Sequence, residues 1–450
     1  MNIIHHGGFN QVTGSCHELR LSIEERYLID CGIPQGDDAV GNLDIDFTGP
    51  SLKALLITHC HLDHIGRIPY LMAAGFDGPI ICTRGSARLL PLVLADAVKV
   101  GISRDPELVE SILTRLDQQL VAIDYDCWYS LSAHCKVRLK NAGHIMGSAF
   151  IECETGGQRI VFSGDIGCKN TPLLADPSRL DGADLLLLES TYGDRLHESR
   201  EQRQQRLKTI VMSSISNRGA VLIPAFSMGR TQELLYEFES IWYELTEQGL
   251  QNFPEIVVDS PLATELTDVY SDLHALWDAE AKDRLNQGRH PLAFNHCHVI
   301  DSHDRHMALV NRLTTTAEPV IIIAASGMCA GGRITNYLSA LLPDPRTDVL
   351  FVGYQARGTP GRDIQHYGPR GGYVMIDGER ISINAKIHTL GGYSAHADQQ
   401  ELLDFIGSAA SPVKRVRLIH GEPDAQLALA TKIKQHFNIP VETAADLLDR

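Results

Sequence analysis

The chain has 450 residues, with 40 lysines and arginines against 56 aspartates and glutamates, for a formal net charge of −16. Its length implies two or three domains, and 44% hydrophobic with 21% charged residues excludes a disordered or fibrous chain. The acidic excess excludes a histone-like protein that holds nucleic acid through overall charge, because its long-range field repels a polyanion.

From Met1 to Gly8 there is neither a basic nor an apolar leader segment, so no secretory signal is expected, and His5 and His6 are assigned to a first turn. The longest apolar runs, Leu185 to Leu188 and Val320 to Ala325, are strand-sized and far below the ~20 residues of a membrane span. Ten cysteines without a C-x-x-C pair fit a reducing, cytoplasmic setting. Strands are expected at Gln11 to Leu21, Arg26 to Asp30, Leu52 to Thr58, Ile160 to Ser163 and Leu185 to Leu188, with helices at His64 to Ala74, Ser86 to Val100 and Asp105 to Gln119. Such alternation implies layered sheets with helices outside. From Glu201 the pattern becomes βαβ: helices at Glu201 to Ile215, Arg230 to Gln248, Ala263 to Trp277, His303 to Thr315 and Ile334 to Leu342, and strands at Ala220 to Pro224, Ile256 to Asp259, Val320 to Ala324 and Val349 to Gly353. A parallel sheet follows from that order. A further strand is expected at Val416 to Ile419.

The segment that carries chemistry is Thr58-His59-Cys60-His61-Leu62-Asp63-His64. Three imidazoles and a carboxylate directly after an apolar strand form a donor set suited to zinc. His144, Asp165 and His420 each follow an apolar segment. Singly they are ordinary loop residues, but with the first cluster they make seven ligands, enough for two metals.

These motifs resemble the metallo-β-lactamase superfamily, and the later ones resemble its β-CASP branch of RNA- and DNA-processing nucleases, in its compact bacterial, cleavage-and-polyadenylation-endonuclease-like form. The resemblance implies a four-layer αββα domain formed by residues 1–199 and 386–450, split by an inserted parallel α/β β-CASP domain at 200–385. It assigns one metal to His59, His61 and His144, a second to Asp63, His64 and His420, and a bridging role to Asp165. Asp30 becomes a carboxylate behind the ligands. Glu189, in Glu189-Ser190-Thr191-Tyr192-Gly193, and His396, in Ser394-Ala395-His396-Ala397-Asp398, match two further β-CASP motifs, and a histidine at position 420 points to RNA. The implied protein is a two-zinc hydrolase of single-stranded RNA, manganese being the alternative ion. Asp63, Glu189 and His396 are catalytic, with His396 as general acid. No membrane and no small-molecule cofactor are expected, and monomer and homodimer both stay open. The competing readings are a lactamase- or glyoxalase-type small-molecule hydrolase and a DNA-directed nuclease.

Within 200–385, Ser227-Met228-Gly229-Arg230 and Ser326 to Arg333 are small-residue loops entering helices, an arrangement suited to phosphate. Ser227, Arg230, Ser326, Gly327, Arg333 and Arg357 are therefore the candidate RNA contacts. Between Thr231 and Ala281 there is no lysine or arginine but a run of acids from Glu233 to Glu280, expected to form a solvated face turned from RNA. His296, His298, His303 and His306 mimic a metal site but lack a carboxylate pattern, and are expected to be surface or core residues.

Overall fold

Leucine-rich and β-branched runs punctuated by glycine turns build the first of two units. The computed structural model describes residues 1–36, 43 and 45–448. Its contacts divide the chain into Met1–Lys169, Ala175–Leu196 and His396–Arg450 as one unit, and Asn170–Leu174 with His197–Ala395 as the other. The first unit begins with β1 (Asn2–Gly7), β2 (Cys16–Arg20), β3 (Arg26–Ile29) and β4 (Leu52–Leu56). His5 and His6 thus lie in a strand rather than a turn, and the strand expected from Gln11 forms only from Cys16. Next come α1 (Leu62–Ile65), α2 (Ile68–Ala73), β5 (Ile80–Thr83), α3 (Arg84–Gly101), α4 (Pro106–Gln119) and β6 (Leu120–Ile123). The single helix expected over His64 to Ala74 is broken in two, with Pro69 occupying the first turn of α2, where its missing N–H costs nothing. Strands β1 to β6 make one sheet in sequence order, and α3 packs on β5 and β6.

The second sheet starts with β7 (Tyr129–Ser130), β8 (Cys135–Asn141), β9 (Ala149–Thr155), β10 (Gln158–Phe162) and β11 (Leu185–Glu189). Leu139, Ile151, Phe162 and Leu187 from its inner face meet Leu19, Ile29, Leu56 and Ile81 from the first sheet in one buried core.

The second unit contains α5 (Arg200–Asn217), β12 (Ala220–Pro224), α6 (Arg230–Glu247), β13 (Glu255–Asp259), α7 (Pro261–Asp272), α8 (Ala279–Asn286), β14 (Cys297–Val299), α9 (His303–Thr315), β15 (Val320–Ala324), α10 (Arg333–Leu341), β16 (Asp348–Phe351), α11 (Pro360–Tyr367), β17 (Tyr373–Ile376), β18 (Glu379–Ser382) and β19 (Lys386–Thr389). Its main sheet runs β14-β13-β15-β12-β16-β19, every pair parallel, as the βαβ pattern implies. Val310, Leu338, Ile364 and the inward side of the β17–β18 hairpin cover one face.

The acidic run does not form a solvated face throughout. Glu233, Glu237 and Glu239 are 4%, 0% and 2% exposed. Arg203 lies 3.3 Å from Glu233, Arg200 3.7 Å from Glu237, and Arg289 2.6 Å from Glu239. Buried carboxylates persist only when paired, and their partners come from α5 and from the turn just after α8, outside the interval that lacks basic residues. Asp259 is likewise buried, accepting from Arg333 at 2.5 Å, His306 at 2.7 Å and Tyr337 at 2.5 Å. That bond makes His306 a core residue; His298 is exposed.

The chain then returns to the first unit with α12 (Gln399–Gly407), β20 (Val416–Ile419), α13 (Pro423–Phe437), β21 (Val441–Glu442) and α14 (Ala444–Leu448). β20 pairs in parallel with β11, completing the order β21-β20-β11-β10-β9-β8-β7. Leu402, Phe405, Leu429 and Ile433 seal the outer face of this sheet. Two sheets packed face to face with helices outside are the four-layer αββα arrangement. Among the described residues, no helix is long and apolar enough to cross a membrane.

Candidate metal centre

The carboxyl ends of adjacent strands place the ligands. β10, β11 and β20 run parallel and side by side; Asp165 lies three residues past β10, Glu189 is the last residue of β11, and His420 directly follows β20. His59, His61, Asp63 and His64 follow β4 and enter α1, while His144 sits in the turn between β8 and β9. Ligand atoms of His59, His61, His144 and Asp165 lie within 4.8 Å of one another, and those of Asp63, His64 and His420 do likewise. Asp165 faces both groups. Its Oδ2 is 3.4 Å from His59 Nε2 and 3.5 Å from His144 Nε2, and its Oδ1 is 3.3 Å from His64 Nε2. All seven residues that the sequence nominated as ligands come together in one unit.

Carboxylates and hydroxyls behind the ligands fix which ring nitrogens face inward. Thr58 donates through its N–H and Oγ1 to Asp30 at 2.8 and 2.7 Å, and His64 Nδ1–H donates to Asp30 Oδ2 at 2.7 Å. His64 Nε2 is thereby left bare. Thr58 Oγ1 accepts from His59 Nδ1 at 3.1 Å, leaving Nε2 of that ring bare as well. Thr191 Oγ1 donates to the His420 carbonyl at 3.2 Å and accepts from His420 Nδ1 at 3.1 Å. Sequence reasoning found Asp30 but gave the two threonines no role, although Thr58 opens the His-rich segment and Thr191 lies in the Glu189 motif. Gly164 closes the arrangement, since a Cβ there would sit 2.6 Å from Thr58 Cβ and its φ is +52°. Asp30 and His420 themselves take left-handed φ values of 58° and 49°, a strain that non-glycine residues bear mainly where the surrounding fold enforces it.

The donors fit a metal ion. His59 Nε2 is 3.1 Å and His144 Nε2 3.0 Å from His61 Nδ1, and His64 Nε2 is 3.2 Å from His420 Nε2. Nitrogens so close are bridged either by a ring proton or by a cation, and their convergence with Asp165 suits a metal ion. Asp165 Oδ1 is buried without a hydrogen-bond donor, a costly state unless a positive ion serves it. Burial lowers the pKa of His61 to about 4, keeping that imidazole neutral. Burial opposes charge on His64 too, but Asp165 and Asp30 outweigh it and hold the pKa well above the imidazole range. The centre demands positive charge at that point. Imidazole nitrogens and carboxylate oxygens together suit zinc.

Glu189 and His396 stand beside the ligands. His396 Nδ1 is 3.1 Å from Glu189 Oε2 and 3.8 Å from Asp165 Oδ2. Most ligand side chains are 0–1% exposed, whereas those of Asp63 and His396 are 18% and 16% exposed and His61 is also half-buried, so these three mark the open side.

The candidate RNA contacts all lie in the other unit. Ser227 follows β12 and Ser326 and Gly327 follow β15, two neighbouring strands from which the chain leaves in opposite directions, to β13 and to β16. Ligands of parallel sheets settle at such carboxyl-end switch points. Gly327 packs on Phe226, which would lie 2.9 Å from an added Cβ, and Ser227 Oγ meets Ser260 Oγ at 3.0 Å. Arg357 is exposed. Arg230 is buried against Glu233, and Arg333 is held by Asp259, so neither guanidinium is displayed as the sequence suggested.

Comparison with known proteins finds three matched segments. Residues 14–212 match the metallo-beta-lactamase superfamily model, 231–364 the Beta-Casp domain, and 380–444 the Zn-dependent metallo-hydrolase RNA specificity domain. The chain is 37% identical over 432 residues to Ribonuclease TTHA0252 of Thermus thermophilus, covering 95% of each. It is 30% identical to transcription termination factor FttA of Methanothermobacter thermautotrophicus, over 98% of this chain and 70% of that protein. A solved structure, a protein of unknown function from Enterococcus faecalis V583, shares the fold with a TM-score of 0.53 at 13% identity, over 94% of this chain and 95% of that one.

Proposed function

Because this chain belongs to the β-CASP branch of the metallo-β-lactamase superfamily, we propose that it is a metal-dependent ribonuclease. It hydrolyses phosphodiester bonds of single-stranded RNA, as an endonuclease, leaving 5′-phosphate and 3′-hydroxyl ends. The observation that carries this reading is the Glu189–His396 pair beside the ligand clusters, because a proton donor aimed at a leaving group is what phosphodiester cleavage needs beyond metal. The ribonuclease name of a 37% identical relative and the RNA specificity match at 380–444 support RNA as substrate.

We assign one zinc to His59, His61 and His144 and a second to Asp63, His64 and His420, with Asp165 shared and manganese as the alternative ion. When bound, such ions polarise a phosphodiester and bring the pKa of a water toward neutrality. The chain supplies the rest. Asp30 and Thr58 hold the imidazoles of His64 and His59 with their inner nitrogens bare, the orienting role that partners behind metal ligands perform. Glu189 accepts His396 Nδ1–H, so the other ring nitrogen faces outward with a proton for the leaving 3′ oxygen. Ser227, Arg230, Ser326, Gly327, Arg333 and Arg357 are assigned to RNA, with Arg230 and Arg333 acting by shaping their loops. Ten free cysteines accord with a cytoplasmic location.

The test uses RNA labelled at either end, a chelator control and a DNA strand of matched sequence. Internal cleavage of RNA that the chelator abolishes is the expected outcome. Cleavage of DNA alone, or metal-independent cleavage, overturns the assignment.

A further inference from the structure

The backbone that carries His396 is tied to the segment just after Asp165. Gly167 and His396 form an antiparallel bridge, Ala397 N–H donates to the Ile166 carbonyl at 2.7 Å, and Cys168 Sγ donates to the His396 carbonyl at 2.9 Å. Ile166 N–H in turn donates to Glu189 Oε1 at 2.7 Å, the carboxylate that grips the His396 ring. The same segment is pressed onto the turn bearing His144: a Cβ on Gly167 would lie 2.1 Å from the Gly143 carbonyl oxygen. So short a bridge has little holding strength of its own.

One carboxylate spans both of its sides. Glu401, in the first turn of α12, accepts Lys169 N–H through Oε1 at 2.8 Å and Asp398 N–H through Oε2 at 3.0 Å. Asp398 Oδ1 accepts Glu401 N–H at 2.9 Å in return. The exchange with Asp398 is a helix capping box, which α12 needs in any case. The bond to Lys169 is not part of that box, and it reaches across to the Asp165 loop.

We propose that Glu401 is a positioning residue, whose carboxylate locks the strand carrying the general acid to the loop carrying the shared metal ligand. The inference rests on the ribonuclease reading of the centre. Glu401 itself touches neither His396 nor any ligand in the described contacts, so its effect passes through backbone placement. Displacement of a reacting group by ~1 Å costs on the order of 100-fold in rate.

The test compares Glu401→Ala, which removes both acceptors, with Glu401→Gln, which keeps one oxygen, and with Leu403→Ala, which opens a cavity in the same helix without touching the bridge. The metal-loaded proteins are assayed for kcat and KM on single-stranded RNA, metal per chain, melting midpoint and amide exchange at Lys169, Ala397 and Asp398. Glu401→Ala is expected to lower kcat by ~10–100-fold, with KM and metal unchanged and those amides exchanging faster. Glu401→Gln should recover much of the loss, and Leu403→Ala should lower the midpoint while leaving kcat within about twofold of the parent. Unchanged kcat or exchange in Glu401→Ala, or an equal kcat loss in Leu403→Ala, overturns the positioning role. If the parent protein leaves RNA intact, the ribonuclease reading fails and the catalytic role with it, while amide exchange separately reports whether the clamp exists.

Discussion

His396 Nδ1 sits 3.2 and 3.1 Å from the two carboxylate oxygens of Glu189, so one anion grips the ring on the side away from solvent. Burial alone depresses the imidazole pKa; Glu189 and Asp165 overcome it and hold it up at about 9. Both anions favour the protonated ring, the form that can donate.

Replacing His396 with alanine should lower kcat by ~10²–10⁴-fold while metal per chain stays at the parent value. The pH profile carries a sign. A general acid must hold its proton, so kcat should decline as pH rises through the His396 pKa, and Glu189→Gln, which removes the nearest anion, should shift that decline to lower pH. Profiles of kcat for the parent and both variants check this, and an alkaline limb that ignores Glu189→Gln would refute the pairing.

Asp165 presents one oxygen to each group of ligands. Asp165→Ala should therefore reduce metal per chain, read by elemental analysis after gel filtration. Full metal content in the variant would contradict the shared position.

Asp30 acts at one remove, fixing the His64 tautomer. Asp30→Asn should weaken metal affinity by ~10–100-fold, measured by competition with a chromophoric chelator, while excess metal restores turnover. An unaltered affinity would show that His64 needs no orienting partner.

In the second unit, Asp259 is the common acceptor for Arg333, His306 and Tyr337. Asp259→Ala leaves a guanidinium without its anion inside the fold, and the loss should be ~3–5 kcal/mol of stability in denaturant unfolding. Metal content of the other unit should not change, and a loss below about 1 kcal/mol would demote the network to an incidental contact.

The ligands were legible because a dense run of histidines after an apolar strand has few other uses, and because Asp165 and His420 follow strands whose leucine and isoleucine content marks them as buried. The helix His303 to Thr315 and the strands Ala220 to Pro224 and Val416 to Ile419 follow the expected bounds, their periodicity being uninterrupted. β8 and β9 went unread although Cys135, Val137 and Leu139 alternate with Lys136, Arg138 and Lys140; the lysines and arginine look solvated until Glu152 and Glu154 are placed opposite them. The same blindness affected Glu233, Glu237 and Glu239. An acid on a helix looks exposed in sequence, and only the neighbouring helix, with Arg200 and Arg203, shows that it is inside. Arg333 meets a carboxylate far away in sequence, Asp259, which spacing alone does not reveal, whereas Arg230 meets Glu233 three residues on in its own helix, a pairing that helical spacing could have shown.

The placement of β20 has a consequence for synthesis. The strand that lies against β11 and delivers His420 is made only after the whole inserted unit has been translated. Until then β11 stands as a bare leucine-rich edge, and the second group of ligands lacks its third member. The full set of seven ligands is therefore complete only once the end of the chain has been made and β20 has docked on β11.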